Sequence, residues 1–141
     1  MAKQSRTRTE EHIEKIAAHL KQRLAKTQSP PVERFVRLLF ARASAHDLLD
    51  TSVESLYGAA LGLWKFSEKR KRGIPSIRVF SPVMEEHGWE SPRTVVELIT
   101  EDMPFLVDSV SAGIARAGYK ALFLVHPVMD VIRDASGARK D

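Results

Sequence analysis

At Gly73-Ile74-Pro75 the hydrophobic period of this chain changes. Upstream, apolar residues recur every three to four positions, the spacing of one helix face; downstream they alternate or gather in β-branched runs. An all-helical or all-β fold satisfies only one of these patterns. The expected class is therefore α+β, with helices over residues 1–73 and a sheet-containing part over 74–141.

In the upstream part, Ile13, Ile16, Ala17, Leu20 and Leu24 define a one-sided helix between Glu10 and Lys26. Thr27-Gln28-Ser29-Pro30-Pro31 interrupts it. Pro31 suits the first turn of a second helix carrying Phe35, Val36, Leu38, Leu39 and Phe40, because a first-turn N–H has no intrahelical acceptor to lose. A short polar stretch surrounds His46 and Asp47. Thr51 or Ser52 then caps a third helix, with Val53, Leu56, Tyr57, Ala60, Leu61 and Trp64 on one stripe, stopped by Gly73 and Pro75.

Downstream, Ile77-Arg78-Val79-Phe80 alternates as a short strand, and Glu85 to Pro92 reads as a loop holding Gly88 and Trp89. The β-branched run Thr94 to Thr100 predicts a buried strand. Asp102 and Pro104 announce a helix start, Leu106, Val110, Ile114 and Ala117 follow at helical spacing, and Gly118 supplies a left-handed stop. Tyr119 to Arg133 reads as one long strand with Phe123, Val125, Met129 and Val131 on one face and Leu122, Leu124, Val128 and Ile132 on the other. Pro127 inside it cannot donate to a ladder, so that strand is expected to lie at a sheet edge or to bend there. Asp134-Ala135-Ser136-Gly137 is hairpin-turn chemistry with four residues beyond it, leaving no partner strand to complete the hairpin. The expectation is a piece of a longer protein.

Composition narrows the function classes. The 141 residues suit about one domain, against a typical size of ~150, and 43% hydrophobic with 28% charged residues is an ordinary globular balance. Zero cysteines exclude disulfides, thiolate nucleophiles, iron–sulfur clusters and thiolate zinc sites, which makes a reducing cytoplasm the default. No uncharged apolar run approaches the ~18 residues of a membrane span, and the polar start lacks the apolar core of a secretory signal, so no membrane association is expected. Residues 1–72 carry 15 basic and 8 acidic side chains, residues 73–141 carry 7 and 10. A basic half admits nucleic acid. The run Lys69-Arg70-Lys71-Arg72, however, sits at a helix end where cations offset the dipole, and few aromatics interleave the cations, so a nucleic-acid-binding module ranks last.

Catalytic and metal signatures do not assemble. The five histidines lie at 12, 19, 46, 87 and 126, without the i, i+4 pair and intervening Glu of zinc hydrolases. His12 and His19 stand about 10 Å apart along a helix, too far to share a metal. His126 beside Pro127 reads as structural. Glu85, Glu86 and His87 next to Gly88-Trp89 resemble an acid/base cluster, but nothing nucleophilic accompanies them, and a solvated loop pinned by Trp89 is the better reading. The seven glycines form no phosphate-binding loop. No catalytic residue, metal or cofactor is expected in this segment.

One turn remains, Thr100-Glu101-Asp102-Met103-Pro104-Phe105-Leu106-Val107-Asp108-Ser109-Val110. Its Asp-x-Pro start followed by aliphatics resembles the opening of an ACT domain, the βαββαβ regulatory module that often senses amino acids. A helix N-terminus there presents unpaired N–H groups suited to a carboxylate or to Asp102 itself. Phe105 departs from the pattern, because ligand-binding ACT domains usually carry glycine at that position. Asp102, Met103, Pro104 and Phe105 are thus the candidate effector or interface turn.

A longer match extends the resemblance. Gly58 to Phe66, Ile77 to Pro82, Glu85 to Trp89 with Ser91-Pro92, Asp102 to Val110 and Val125-His126-Pro127-Val128 resemble the amino-terminal region of the large bacterial NAD-specific glutamate dehydrogenases, most strongly between Gly58 and Gly137. That resemblance implies a helical segment at 1–73 and a truncated, ferredoxin-like ACT domain at 74–141. The implied function is a non-catalytic regulatory or assembly region of an enzyme converting L-glutamate, NAD and water to 2-oxoglutarate, ammonia and NADH. NAD would belong to the parent enzyme; the partners would be its other domains, sister subunits and an amino-acid effector. A stand-alone amino-acid-sensing ACT module is the alternative. In a complete ACT fold the second strand lies at an edge, and a third, missing here, separates it from the first. Residues 94–133 are therefore expected to be loosely held or to pair in a substitute arrangement, with Ile77 to Phe80 as an added strand.

Overall fold

The computed structural model describes residues 2–26 and 28–140. In chain order the elements are helices α1 (Ala2–Arg23), α2 (Ser29–Phe40), α3 (Ala45–Leu49) and α4 (Val53–Phe66), strand β1 (Ser76–Phe80), helix α5 (Met84–His87), strand β2 (Val95–Ile99), helix α6 (Leu106–Arg116), and strands β3 (Ile132–Arg133) and β4 (Arg139–Lys140). The class is α+β, as the change of period requires.

The core lies in the helical part. Ile13, Ile16 and Leu20 of α1 meet Val32, Phe35, Val36, Leu39 and Phe40 of α2, Leu48 of α3, and Leu56, Tyr57 and Ala60 of α4. Each large side chain buried there contributes about 1.5–3 kcal/mol. Polar groups tie α1 to α2. Arg37 donates from Nε and Nη2 to the two oxygens of Glu14, 2.9 Å each, and from Nη1 to Glu33. Ser29 Oγ donates to Glu33 at 2.7 Å, and Lys21 pairs with the same carboxylate at 3.3 Å. Thr27 lies outside the described residues.

Several expectations about the helices change. Helix α1 begins well before Glu10, its exposed first turns stitched by Thr7 and Thr9 hydroxyls donating to the carbonyls of Lys3 and Ser5. The polar stretch at His46 and Asp47 is helical, because Leu48 inserts fully into the core. Ser52 is the cap of α4, accepting from the Ser55 N–H at 3.2 Å. That helix ends at Phe66, well before Gly73, because Ser67 closes it: its N–H bonds the Leu63 carbonyl and its hydroxyl the Trp64 carbonyl.

Strands β1 and β2 pair antiparallel, Ile77 opposite Leu98, Arg78 opposite Glu97 and Val79 opposite Val96. The expected pairing of Ile77 to Phe80 with the second run is therefore present. Opposed residues share a face, so the sheet has two unlike sides. Arg78, Phe80 and Glu97 turn towards α4; Ile77, Val79 and Val96 face outward, the first two 65% and 62% exposed. The reading of residues 94–100 as a buried strand is corrected: Glu97 is its one buried residue, because a two-stranded sheet covered on one side exposes the other. A short helix, α5, replaces part of the loop after β1 and is closed by Gly88 in the left-handed conformation.

Helix α6 ends as anticipated: Gly118 has φ 85°, and the N–H groups of Gly118 and Tyr119 return to the carbonyls of Ala115 and Ile114. The single long strand over Tyr119 to Arg133 does not form. Residues 119–131 have no ladder partner; they stay alternating, with Phe123, Val125 and Met129 packed on the helical core and Leu122, Leu124 and Val128 exposed. Side-chain burial against helices has replaced backbone pairing there. The hairpin judged unfinished is also corrected. Asp134 Oδ1 accepts from the Ser136 N–H, the Ser136 hydroxyl and the Ala138 N–H, and β3 pairs with β4, Ile132 opposite Lys140. It lands on the end of α4: the Arg70 N–H donates to the Gly137 carbonyl and the Arg139 N–H to the Glu68 carbonyl.

Candidate functional site

The turn singled out in the sequence sits at the start of α6 on the surface. Asp102, Met103, Pro104 and Phe105 are all exposed, and no side chain caps the helix. Phe105 takes the cap position with φ 61°, the one non-glycine residue among those described with a positive φ, and is 76% exposed. A left-handed backbone costs a β-carbon-bearing residue about 1–2 kcal/mol. Glycine at such a position is thus explained by backbone conformation as well as by close approach of a ligand. Helix α6 buries no residue fully; its apolar positions Leu106, Val110 and Ile114 are half-covered.

A second constellation joins the sheet to the helices. Trp89, 7% exposed, lies against Gly58 of α4 so closely that a β-carbon at residue 58 would overlap the Trp89 side chain. Gly62, one turn on, faces Arg78 and the Trp89 indole at ordinary contact distance. The Arg78 guanidinium sits 4.7 Å from the ring centre of Phe66 and 4.4 Å from that of Phe80. It donates from Nε and Nη2 to Glu97 Oε2 at 2.9 and 2.6 Å. Glu97 is 6% exposed. Burial pushes its carboxyl above the usual range, although Arg78 pulls the other way. The sequence signal for this pair is faint: one glutamate in an otherwise apolar strand, whose partner is fixed only by strand register.

The hairpin supplies a third contact. Arg133 donates to the carbonyls of Ser67, Glu68 and Gly137, and Arg139 to the carbonyl of Trp64, whose ring its guanidinium covers at 3.3 Å. Two cations thereby sit on the negative end of α4. Burial, reinforced by Arg70, lowers the Arg133 pKa.

Among the described residues the acid/base and metal candidates do not come together. Glu85 and Glu86 are exposed, while the His87 ring stacks on Phe80 and accepts the Val83 N–H at Nδ1. His12 Nε2 lies 3.1 Å from the Thr51 carbonyl, and His126 stands exposed in the unpaired stretch. Among the described residues no three His, Asp or Glu side chains gather as metal ligands, and no helix is long and apolar enough to cross a membrane. Exposed apolar side chains stand on the outward side of β1 and β2, at Ile77, Val79 and Val96, and on the α6 turn, at Met103 and Phe105.

The family model described as "Glutamate dehydrogenase, ACT1 domain" matches residues 35–141. The chain is similar to the NAD-specific glutamate dehydrogenases of Halomonas elongata and Pseudomonas aeruginosa, 37% identical over 122 residues in each case. Those alignments take in 86% of this chain and 8% of each relative, so the chain spans a small part of the length of the proteins it matches. No solved structure matches.

Proposed function

The chain belongs to the family of glutamate dehydrogenase ACT1 domains, and from that premise we propose that it is a non-catalytic regulatory and assembly module of a cytoplasmic NAD-dependent glutamate dehydrogenase. The parent reaction is oxidation of L-glutamate to 2-oxoglutarate and ammonia with NAD reduced to NADH; both the chemistry and the NAD site lie outside these residues. Residues 1–73 act as the helical anchor and residues 74–141 as the ACT-type part. The turn Asp102 to Phe105 serves as the effector or interface turn of this module. Its partners are other domains of the same enzyme and sister subunits.

The observation that carries this reading is the uncovered apolar side of β1 and β2. Ile77, Val79 and Val96 project three aliphatic side chains outward from a sheet whose opposite side is already packed. In water such a surface is stable only at a cost that burial against another element removes, about 25 cal/mol per Å². The test is Val79→Asp with Val96→Asp in the whole dehydrogenase, followed by light scattering and steady-state kinetics. The expected result is loss of the assembled state or of regulation. Unchanged assembly and unchanged kinetics would refute the proposal.

A further inference from the structure

Helix α4 carries opposite charge at its two ends. Glu54 and Lys65, both exposed, are eleven residues apart, three turns to within about 20°, so they share one face of the helix about 16 Å from each other. Half-buried Leu61 lies between them on that face. At the acid end the Ser55 hydroxyl donates to the Glu90 carbonyl at 3.4 Å, which seats exposed Glu90 beside the first turn; Arg93 follows it in the chain. At the basic end Lys69, Lys71 and Arg72 are all exposed, and the hairpin adds Arg133, Arg139 and Lys140. Of the acids there, Glu101 pairs with Arg70 at 3.6 Å and Asp134 with Lys140 at 3.1 Å, while Glu68 stands among the cations. Among the described residues Glu54, Glu90, Lys65, Lys69, Lys71 and Arg72 make no ion pair.

Capping of the helix does not account for these charges. The start of α4 is already capped by Ser52, and the carbonyls at its end are already held by Arg133 and Arg139. Lys69, Lys71 and Arg72 lie beyond the last helical residue, Phe66, and Glu90 is not on the helix at all. The crowding of cations is itself unfavourable, since Arg70 adds to burial in lowering the Arg133 pKa. A nucleic acid would answer the basic end alone. The one aromatic residue between Lys65 and Arg72, Phe66, is covered by Arg78 and offers no ring for a base to stack on. A second copy of the chain answers both ends, because a two-fold axis across the middle of α4 sets each acid end against the other copy's basic end. We propose that two copies associate side by side with their α4 helices antiparallel, Glu54 and Glu90 of each facing Lys65 and Lys69 of the other. The contact is isologous, so every ion pair in it occurs twice. It rests on the assembly reading but uses a different surface from Ile77, Val79 and Val96.

The test is carbodiimide cross-linking of the whole dehydrogenase, assembled from a mixture of ordinary and isotope-labelled subunits so that links between subunits are told apart by mass. The carbodiimide takes up the water released as a carboxylate and an ammonium in contact condense to an amide. Amides should join residue 54 or 90 of one subunit to residue 65 or 69 of another. Salt at about 1 M should suppress them, because exposed charges are then screened beyond about 3 Å. Lys65→Glu alone should lower the yield of the link between residues 90 and 69 about tenfold, the effect of reversing two exposed contacts per dimer. Adding Glu54→Lys to it should restore that yield, with the roles of 54 and 65 exchanged, a rescue that a merely local role would not give. Absence of any link between subunits at these residues, a double variant no better than Lys65→Glu, or retention of the enzyme on a short RNA without such a link would each overturn the proposal. None of these variants touches Val79 or Val96. A missing link leaves the apolar side of β1 and β2 standing as a docking surface, and assembly indifferent to Val79→Asp with Val96→Asp leaves the link in place, so the two readings fail separately.

Discussion

Substituting Gly58 with alanine tests the joint between helix and sheet. Ordinarily, replacing glycine inside a helix by alanine stabilises by about 1 kcal/mol, through propensity alone. At Gly58 the new β-carbon would overlap Cβ and Cγ of Trp89 and lie 2.8 Å from its Cδ1. Trp89 cannot retreat freely, because Phe80 meets its ring edge-on at 6.3 Å. Overpacking of this kind costs about 1–3 kcal/mol, so Gly58→Ala should fall about 1–3 kcal/mol short of the stability that the propensity gain alone would give. Gly62→Ala is the internal control. Its β-carbon would sit 3.8 Å from Arg78 Nη2 and 3.9 Å from Trp89 Nε1, ordinary contact, and the propensity gain should survive. For a chain of this size 1 kcal/mol moves the melting temperature by about 2–4 °C. Calorimetry should therefore show Gly62→Ala melting above the parent chain by about that much and Gly58→Ala melting below Gly62→Ala by about 2–12 °C. A Gly58→Ala chain as stable as Gly62→Ala would mean that Trp89 does not seat against α4, and the coupling of sheet to helices described above would be wrong.

Three further outcomes are expected. Gly137 has φ 87° and its β-carbon position overlaps the Arg70 carbonyl, so Gly137→Ala should lower the urea midpoint by more than Gly118→Ala, which has similar φ but open space; equal losses would show that the hairpin does not dock on α4. Phe105→Gly should be about 1 kcal/mol more stable than Phe105→Ala in chemical denaturation, because only glycine escapes the left-handed penalty. Stability should fall on both sides of the ordinary carboxylate range in urea titrations across pH 3–8. Glu14, held low by Arg37, and Glu33, held low first by the Ser29 hydroxyl and then by Lys21 and Arg37, contribute stability above their ordinary value that is lost as pH falls through the lowered one. Glu97 has the opposite sign: its raised carboxyl favours the folded state while protonated, so that stabilisation fades as pH rises from about 4.5 through the raised value. Glu97→Gln should flatten the alkaline limb alone; an unchanged limb would refute the burial-driven shift.

Much of the helical part was legible from spacing. Residues at i, i+3 and i+4 must share a face whatever they pack against, so the stripes of α1, α2 and α4, a cap at Thr51 or Ser52 and the Gly118 stop follow from local geometry, and the structure selects Ser52 as the cap. The alternation of Phe123, Val125 and Met129 against Leu122, Leu124 and Val128 was equally readable, because an extended backbone turns successive side chains to opposite sides with or without a neighbour.

What that alternation could not specify is where the partner comes from. Backbone pairing is a contact between distant segments, and a single strand's pattern is satisfied as well by a helical surface as by another strand. Only the fold decided that residues 119–131 lie on helices, that two residues suffice to close the last hairpin once the end of α4 receives it, and that Arg78 stands opposite Glu97. The gathering of cations at the end of α4 belongs to the same category: Arg133 and Arg139 reach it from the last hairpin, more than sixty positions along the chain, and three-dimensional proximity alone brings them together.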